Sequence, residues 1–306
     1  MTGRIRVANA PCSWGVVQGV EGESYDWRRV LDEIAETGYA GSELGDWGFM
    51  PNDPALLRDE LSRRRLAMIG AFTPLRLSDT RLYAEAKSVA LRTARLLAEC
   101  WLGSPDEGAP FVILADDPSP ATHRREFAGR IQPEHGLDDD AWRALVSGTE
   151  QIAQAVRDET GLRTVFHHHC GTFVETAEET KRLLETTPGD LVGLCLDTGH
   201  YVYGGGDPLE LLRNFRERVW LVHFKDCDAN TSAFAKAAGW DYVTAIRNGI
   251  FCGLGEGAVD HPGVLRELER TGYVGWIVCE NEAPPGRVPS LVMAQRDRAY
   301  LTGLGL

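Results

Sequence analysis

The stretch Leu194-Cys-Leu-Asp-Thr-Gly-His-Tyr201 decides how the rest of the chain is read. It continues a short apolar run that begins at Val192, and an acid, Asp197, follows that run at once. A strand buried on both faces of a parallel sheet reads as continuous hydrophobic residues, with polar chemistry where it leaves the sheet. Asp197 is therefore predicted at a strand's carboxyl end, with Thr198-Gly199 turning the chain and His200 returning over the same opening. The pattern recurs downstream. Val219-Trp-Leu-Val222 runs into His223-Phe-Lys-Asp226, and Trp276-Ile-Val-Cys279 runs into Glu280-Asn-Glu282. A single acid or His after a strand is commonly a helix cap or a solvated loop residue. Three strands ending in Asp, His and Glu make a donor set suited to a divalent ion such as Mn, Co, Mg or Zn.

Upstream, further apolar segments predict strands over 5–8, 41–44, 66–72, 111–115 and 163–166. Helical spacing separates them, over 25–37, 53–65, 79–100 and 140–161, and continues between the later strands over 176–186, 208–217 and 262–270. Asp53 reads as an N-cap with Pro54 at the first helical position, and Gly38 stops the helix before it. Residues 116–140 and 230–260 lack periodicity and read as loops. Eight short strands alternating with helices is the count of a (β/α)8 TIM barrel, predicted here as a single α/β domain over residues 1–306. Such barrels carry their chemistry at the carboxyl ends of the strands. No Gly-x-Gly-x-x-Gly turn follows the first strand, which argues against an open dinucleotide-binding sheet.

The net charge of −13 disfavours a nucleic-acid partner, since phosphate binding calls for a basic strip. No apolar run is long enough to span a membrane, and the first residues lack a signal peptide's apolar core. The seven cysteines are odd in number and form no CxxC pair, so they are expected as reduced thiols in a cytoplasmic protein. A homo-oligomer is compatible with this composition.

Asp197, His223 and Glu280 leave a fourth ligand to be found near the fifth strand. His167 stands at that strand's end, and Glu175 lies further on, past a Gly171-Thr172 turn. A third carboxylate neutralises a divalent ion better than a second imidazole, which favours Glu175 as ligand and leaves His167 facing the substrate. Glu175 also has a plain structural reading, as an acid opening the next helix. In the run His167-His-His169, alternation puts the first and third side chains on one face and His168 on the other. His200 and His169 are the candidate acid–base groups. Lys225 shares the face of His223 and either stabilises an oxyanion or pairs with Asp226. Glu43, at the second strand's end, is a further candidate base. Trp14 and Phe251, like Trp47 and Phe72, fall in strand-end loops, where aromatics form the apolar wall of a polyol site or merely cap the barrel. Gly253, Gly255 and Gly257 give only a weak phosphate-cradle signal, since no Lys-Ser/Thr follows.

Through Leu196-Asp-Thr-Gly-His200, His223-Phe-Lys-Asp226 and Cys279-Glu280, the whole chain resembles the sugar isomerase/epimerase superfamily of xylose-isomerase-like barrels. Within it the chain is most similar to the inosose dehydratases, through Gly41-Ser-Glu-Leu-Gly45, His167-x-His-x-Gly-Thr-x-x-Glu175 and Gly249-Ile-Phe251 leading to Gly255-Glu-Gly257. The resemblance implies one divalent ion, Mn or Co first, on Asp197, His223 and Glu280. It also implies a substrate-facing His200 and a small polyol or keto-sugar bearing adjacent hydroxyl and carbonyl oxygens. Many members have a Glu where this chain has His167, and the loop Ala10-Pro-Cys-Ser-Trp-Gly15 departs from the dehydratase pattern. The implied reaction is dehydration of an inosose through a metal-stabilised enolate. Epimerisation or isomerisation of a keto-sugar, β-elimination from an oxidised glycoside and a non-catalytic sugar-binding subunit are the alternatives; a metal-dependent nuclease is disfavoured by the charge.

Overall fold

The computed structural model describes residues 5–15, 25–101, 103, 108–117, 123–282 and 288–306. Its strands are β1 (Ile5–Asn9), β2 (Gly41–Ser42), β3 (Ala67–Met68), β4 (Gly70–Leu75), β5 (Phe111–Asp116), β6 (Arg163–His167), β7 (Val192–Asp197), β8 (Val219–Phe224), β9 (Asp226–Cys227), β10 (Phe251–Cys252) and β11 (Gly275–Cys279). Nine of them pair in one sheet, in the order β3-β2-β1-β11-β8-β7-β6-β5-β4, and every pairing in it is parallel. β9 and β10 pair only with each other, antiparallel.

The two ends of that order, β3 and β4, are consecutive in the chain with only Ile69 between them. The Ile69 N–H donates to Ser42 O at 3.0 Å, its carbonyl accepts from Phe111 N at 2.9 Å, and Gly70 O accepts from Leu44 N at 2.9 Å. One bent segment therefore serves both ends of the sheet, and the nine strands are the eight staves predicted from the sequence. The close approach needs Gly70, because a Cβ there would stand 2.7 Å from Phe111 O.

Along each strand the side chains alternate between two cores. Val7, Phe166, Leu194, Val222 and Ile277 face outward and pack with helical residues such as Leu31 and Ile34. Ala8, Ile113, Val165, Cys195, Leu221 and Val278 fill the barrel. The helices of the outer layer include α1 (Trp27–Glu36), α2 (Pro54–Arg64) and α3 (Tyr83–Cys100). After them come α4 (His123–Glu126), α5 (Asp139–Thr160), α6 (Ala177–Thr186), α7 (Thr198–Tyr203), α8 (Pro208–Phe215), α9 (Ala229–Ala238), α10 (Tyr242–Arg247), α11 (His261–Arg270) and α12 (Ser290–Gly303). Asp53 caps α2 as expected, accepting from Leu56 N at 2.9 Å. Thr176 and Glu179 close a capping box on α6. Among the described residues no helix is long and apolar enough to cross a membrane. All seven cysteines are free thiols.

Two expectations about loops are corrected. Thr198-Gly199 is no turn but the start of α7, because Asp197 Oδ1 accepts from His200 N at 2.8 Å and caps it. The region 230–260 is not irregular either. It holds α9 and α10, each started by an Asp: Asp228 accepts from Thr231 N at 2.6 Å, and Asp241 from Thr244 N at 2.7 Å. Both are short helices with narrow apolar faces, so their capping residues are a stronger signal than their periodicity.

Candidate metal and catalytic site

The inward period of two builds the site in layers. Val165, Cys195, Leu221 and Val278 point into the barrel from β6, β7, β8 and β11. Two residues on, the same four staves present His167, Asp197, His223 and Glu280, all buried. Another two residues on, three of them give His169, Lys225 and Glu282, while His200 enters from the first turn of α7.

The second layer could hold a metal ion. One donor atom from each of His167, Asp197, His223 and Glu280 lies within 4.8 Å of every other. His167 Nε2 is 3.7 Å from Asp197 Oδ2, His223 Nδ1 is 4.0 Å from that same oxygen, and Glu280 Oε1 is 3.1 Å from His223 Nδ1. Tetrahedral ligands held at about 2.1 Å from one ion stand about 3.4 Å apart, so these spacings fit a single ion. Asp197 Oδ2 and His223 Nδ1 are buried without a hydrogen-bond partner. They have charged neighbours in Lys225 and Glu280 but no hydrogen bond, and buried polar atoms in that state are costly unless something binds them. The residues therefore fit the divalent ion that the resemblance implies.

The neighbours prepare these donors. His223 Nε2 lies 2.8 Å from Glu43 Oε1, the carboxylate–imidazole contact that fixes a ligating ring. Burial opposes ionisation of Asp197, but Lys225, His200 and His167 hold it well below the usual carboxylate range. Burial likewise works against Glu280, and His223 and Lys225 bring it well below that range too. The Lys225 ammonium sits 2.6 Å from Glu282 Oε1, 3.0 Å from Glu280 Oε2, 3.2 Å from His200 Nε2 and 3.5 Å from Asp197 Oδ2. Burial alone would lower Lys225, yet Asp197, Glu282 and Glu280 raise it well above its ordinary value. Cys195, just below, is pushed up to about 12 by burial and stays a thiol.

Glu175 does not join the cluster. Its Oε1 accepts from Gly129 N at 2.6 Å and its Oε2 from Gly171 N at 2.5 Å, so both oxygens tie loops together. His167, expected to face the substrate, takes instead the place beside Asp197, His223 and Glu280 that was expected for Glu175. Trp14 is fully buried, with its indole N–H donating to Glu33 Oε2 at 2.6 Å, and forms no wall of the cavity. Phe251 is buried behind the site, edge-on to His200 at 5.0 Å and under Lys225 Nζ at 5.0 Å, and backs those groups. Lys225 does not pair with Asp226. That carboxylate accepts from the backbone N–H groups of Cys227, Gly255, Gly257 and Val259 instead. The same bonds occupy the Gly253–Gly257 loop and remove the phosphate-cradle reading.

Above the ligand set opens a cavity of about 180 Å³. Glu43, His167, His169, Glu280 and Glu282 reach it from the barrel, Phe72 and Pro74 form one apolar wall, and Tyr242 with Ile246 forms another. His169 Nδ1 is 2.8 Å from the Cys170 carbonyl, which only accepts, so Nδ1 carries the proton and Nε2 is bare. Burial, then His167, lowers its pKa to about 4, so the ring is neutral. His200 is buried behind it, the ring centroids 3.9 Å apart, and does not line the cavity. Sequence reasoning passed over Glu282 and Tyr242. The period of two from Glu280 reaches Glu282, and the Asp241 cap marks the helix that carries Tyr242.

Residues 107–303 match the family described as the xylose isomerase-like TIM barrel. The inosose dehydratase of Geobacillus kaustophilus (strain HTA426) is 33% identical over 302 residues, covering 98% of this chain and 94% of that protein. The rhizopine catabolism protein MocC of Rhizobium meliloti is 32% identical, over 95% of this chain and 86% of that one. Among solved structures, the IOLI protein with a binding zinc atom superposes with a TM-score of 0.73 at 13% identity, over 98% of this chain and 97% of that one.

Proposed function

Because the chain belongs to the xylose isomerase-like TIM barrel family, we propose that it is a metal-dependent carbon–oxygen lyase that dehydrates an inosose-like keto-polyol. The observation that carries this is the buried cluster of His167, Asp197, His223 and Glu280 at the floor of the cavity, in which Asp197 Oδ2 and His223 Nδ1 make no hydrogen bond. Similarity along the full length to inosose dehydratases supports the choice of substrate class.

A divalent ion, Mn or Co first, would polarise the ketone and stabilise the charge of the enolate that follows. The protein's own residues do the rest. His169 lines the cavity, and its bare Nε2 takes the proton from the carbon beside the ketone. His200 and Lys225 back it: the ammonium is locked among Asp197, Glu280 and Glu282 and keeps that carboxylate cluster from repelling an anionic enolate. Glu43 acts through the ring of His223 and orients it. Phe72, Pro74 and Ile246 keep water from the reacting carbons.

The test is chemical. Protein stripped by a chelator should neither consume an inosose nor regain activity until Mn or Co is added, and the product should carry the mass of substrate less one water. Full activity without metal would refute the metal-dependent reading. Epimerisation of a ketohexose with no loss of water would replace dehydration by epimerisation.

A further inference from the structure

Dehydration needs two proton transfers, and the groups assigned so far account for one. A hydroxide is a poor leaving group, so the departing β-hydroxyl needs an acid. From the helix over the cavity we infer that Tyr242 is a further catalytic residue, the acid that protonates the leaving hydroxyl, and that Glu282 carries the proton back to it. This rests on the dehydratase reading above.

Tyr242 is the first residue of α10, set by the Asp241 cap. It lines the cavity, with its ring edge-on to His169 at a centroid distance of 5.5 Å. Its hydroxyl lies 3.4 Å from Glu282 Oε2. The other oxygen of Glu282 is held by Lys225 Nζ at 2.6 Å. Donor atoms of His169, His200 and Glu282 all lie within 4.8 Å of one another. Glu282 thus stands between the imidazoles and the phenol. Burial, and then Glu282, raise the phenol well above its ordinary value, so it enters the reaction protonated.

The step balances. His169 Nε2 takes the α-proton, and the C–H electron pair becomes the enolate. That pair forms the new carbon–carbon double bond as the β C–O bond breaks with its own pair, and the Tyr242 proton completes a water molecule. The tyrosinate is reprotonated from His169 through Glu282. The substrate loses H2O, the enzyme returns to its starting state, and nothing is oxidised.

Tyr242→Phe keeps the ring and removes only a hydroxyl whose hydrogen bond among the described residues, to Glu282, is 3.4 Å long. The metal-loaded variant should keep wild-type melting temperature and metal content, with KM little changed and kcat down about 10²-fold. In heavy water it should still exchange the α-hydrogen, so recovered substrate gains more deuterium per turnover than with the wild type. A substrate analogue with fluorine in place of the β-hydroxyl loses fluoride without an acid, and should react at near wild-type rate. Glu282→Gln is the second variant: its first turnover should survive while steady-state turnover slows about tenfold or more. Equal loss for the hydroxyl and fluoro substrates, or loss of exchange in step with elimination, would overturn the role of Tyr242. Wild-type enzyme that neither exchanges nor eliminates when metal-loaded is a separate failure, that of the dehydratase reading.

Discussion

His167 leaves β6 on the inward face, in step with Val165 below it, whereas Glu175 reaches back into the loop that follows. Charge neutralisation alone favours Glu175 as the fourth ligand, but two neighbours change the balance. Lys225 already brings a cation to the carboxylates, and the amides of Gly129 and Gly171 already claim both Glu175 oxygens. The strand-end position that marked Asp197, His223 and Glu280 in the sequence also belongs to His167, the last residue of β6. Titrating metal into His167→Gln should therefore show a loss of affinity of tenfold or more, while Glu175→Gln binds metal as the wild type does. Glu175 has a signature of its own. Burial raises it from 4.5 to about 7, the Gly171 and Gly129 amides pulling the other way. Between those values the folded protein keeps a proton that the unfolded chain has released, so stability falls as pH rises through that window. Relative to Glu175→Gln, the wild type should lose on the order of 3 kcal/mol between pH 4.5 and pH 8, measured by urea unfolding of both. A stability gap independent of pH would contradict this.

At the level of elements, α7 carries the most consequence for its length. Asp197 divides its carboxylate: Oδ1 caps the helix and Oδ2 faces the ligand set. Gly199 lets the Lys225 stem pass, since a Cβ there would stand 2.6 Å from Lys225 Cγ. Gly199→Ala should cost about 1–3 kcal/mol by overpacking and weaken metal binding together with stability, because the displaced helix takes Asp197 with it. A variant that unfolds at lower urea yet binds metal normally would show that α7 and the ligand set are not coupled. The barrel strands were legible because they are apolar runs with polar ends. α9 and α10 were not, because an Ala-rich helix and a six-residue helix carry little periodicity, and their Asp caps were passed over. Trp14 and Phe251 misled for a related reason: sequence locates an aromatic near a strand end but does not say whether it faces the cavity or lies behind it.

For the whole molecule, His167, Asp197, His223 and Glu280 come from four staves that follow one another around the sheet, β6, β7, β8 and β11. An ion bound only by the folded state would add about 2.7 kcal/mol at a hundredfold excess over its dissociation constant. For a chain of this size that corresponds to several degrees of melting temperature. Calorimetry with Mn or Co and with chelator should show that gap in the wild type and a much smaller one in His167→Gln. Equal melting temperatures with and without metal would remove these residues as ligands.

The segment around Ile69 has a consequence for how the protein meets other chains. An open sheet offers its outermost strands as templates on which a neighbour's backbone can add. Here the two would-be borders are adjoining pieces of one segment, bonded to Ser42 and Leu44 on one side and to Phe111 on the other. Detaching that single segment would bare two rows of unpaired amides at once, so the Ile69–Gly70 junction is one of the places where closure of the barrel guards against edge-to-edge association.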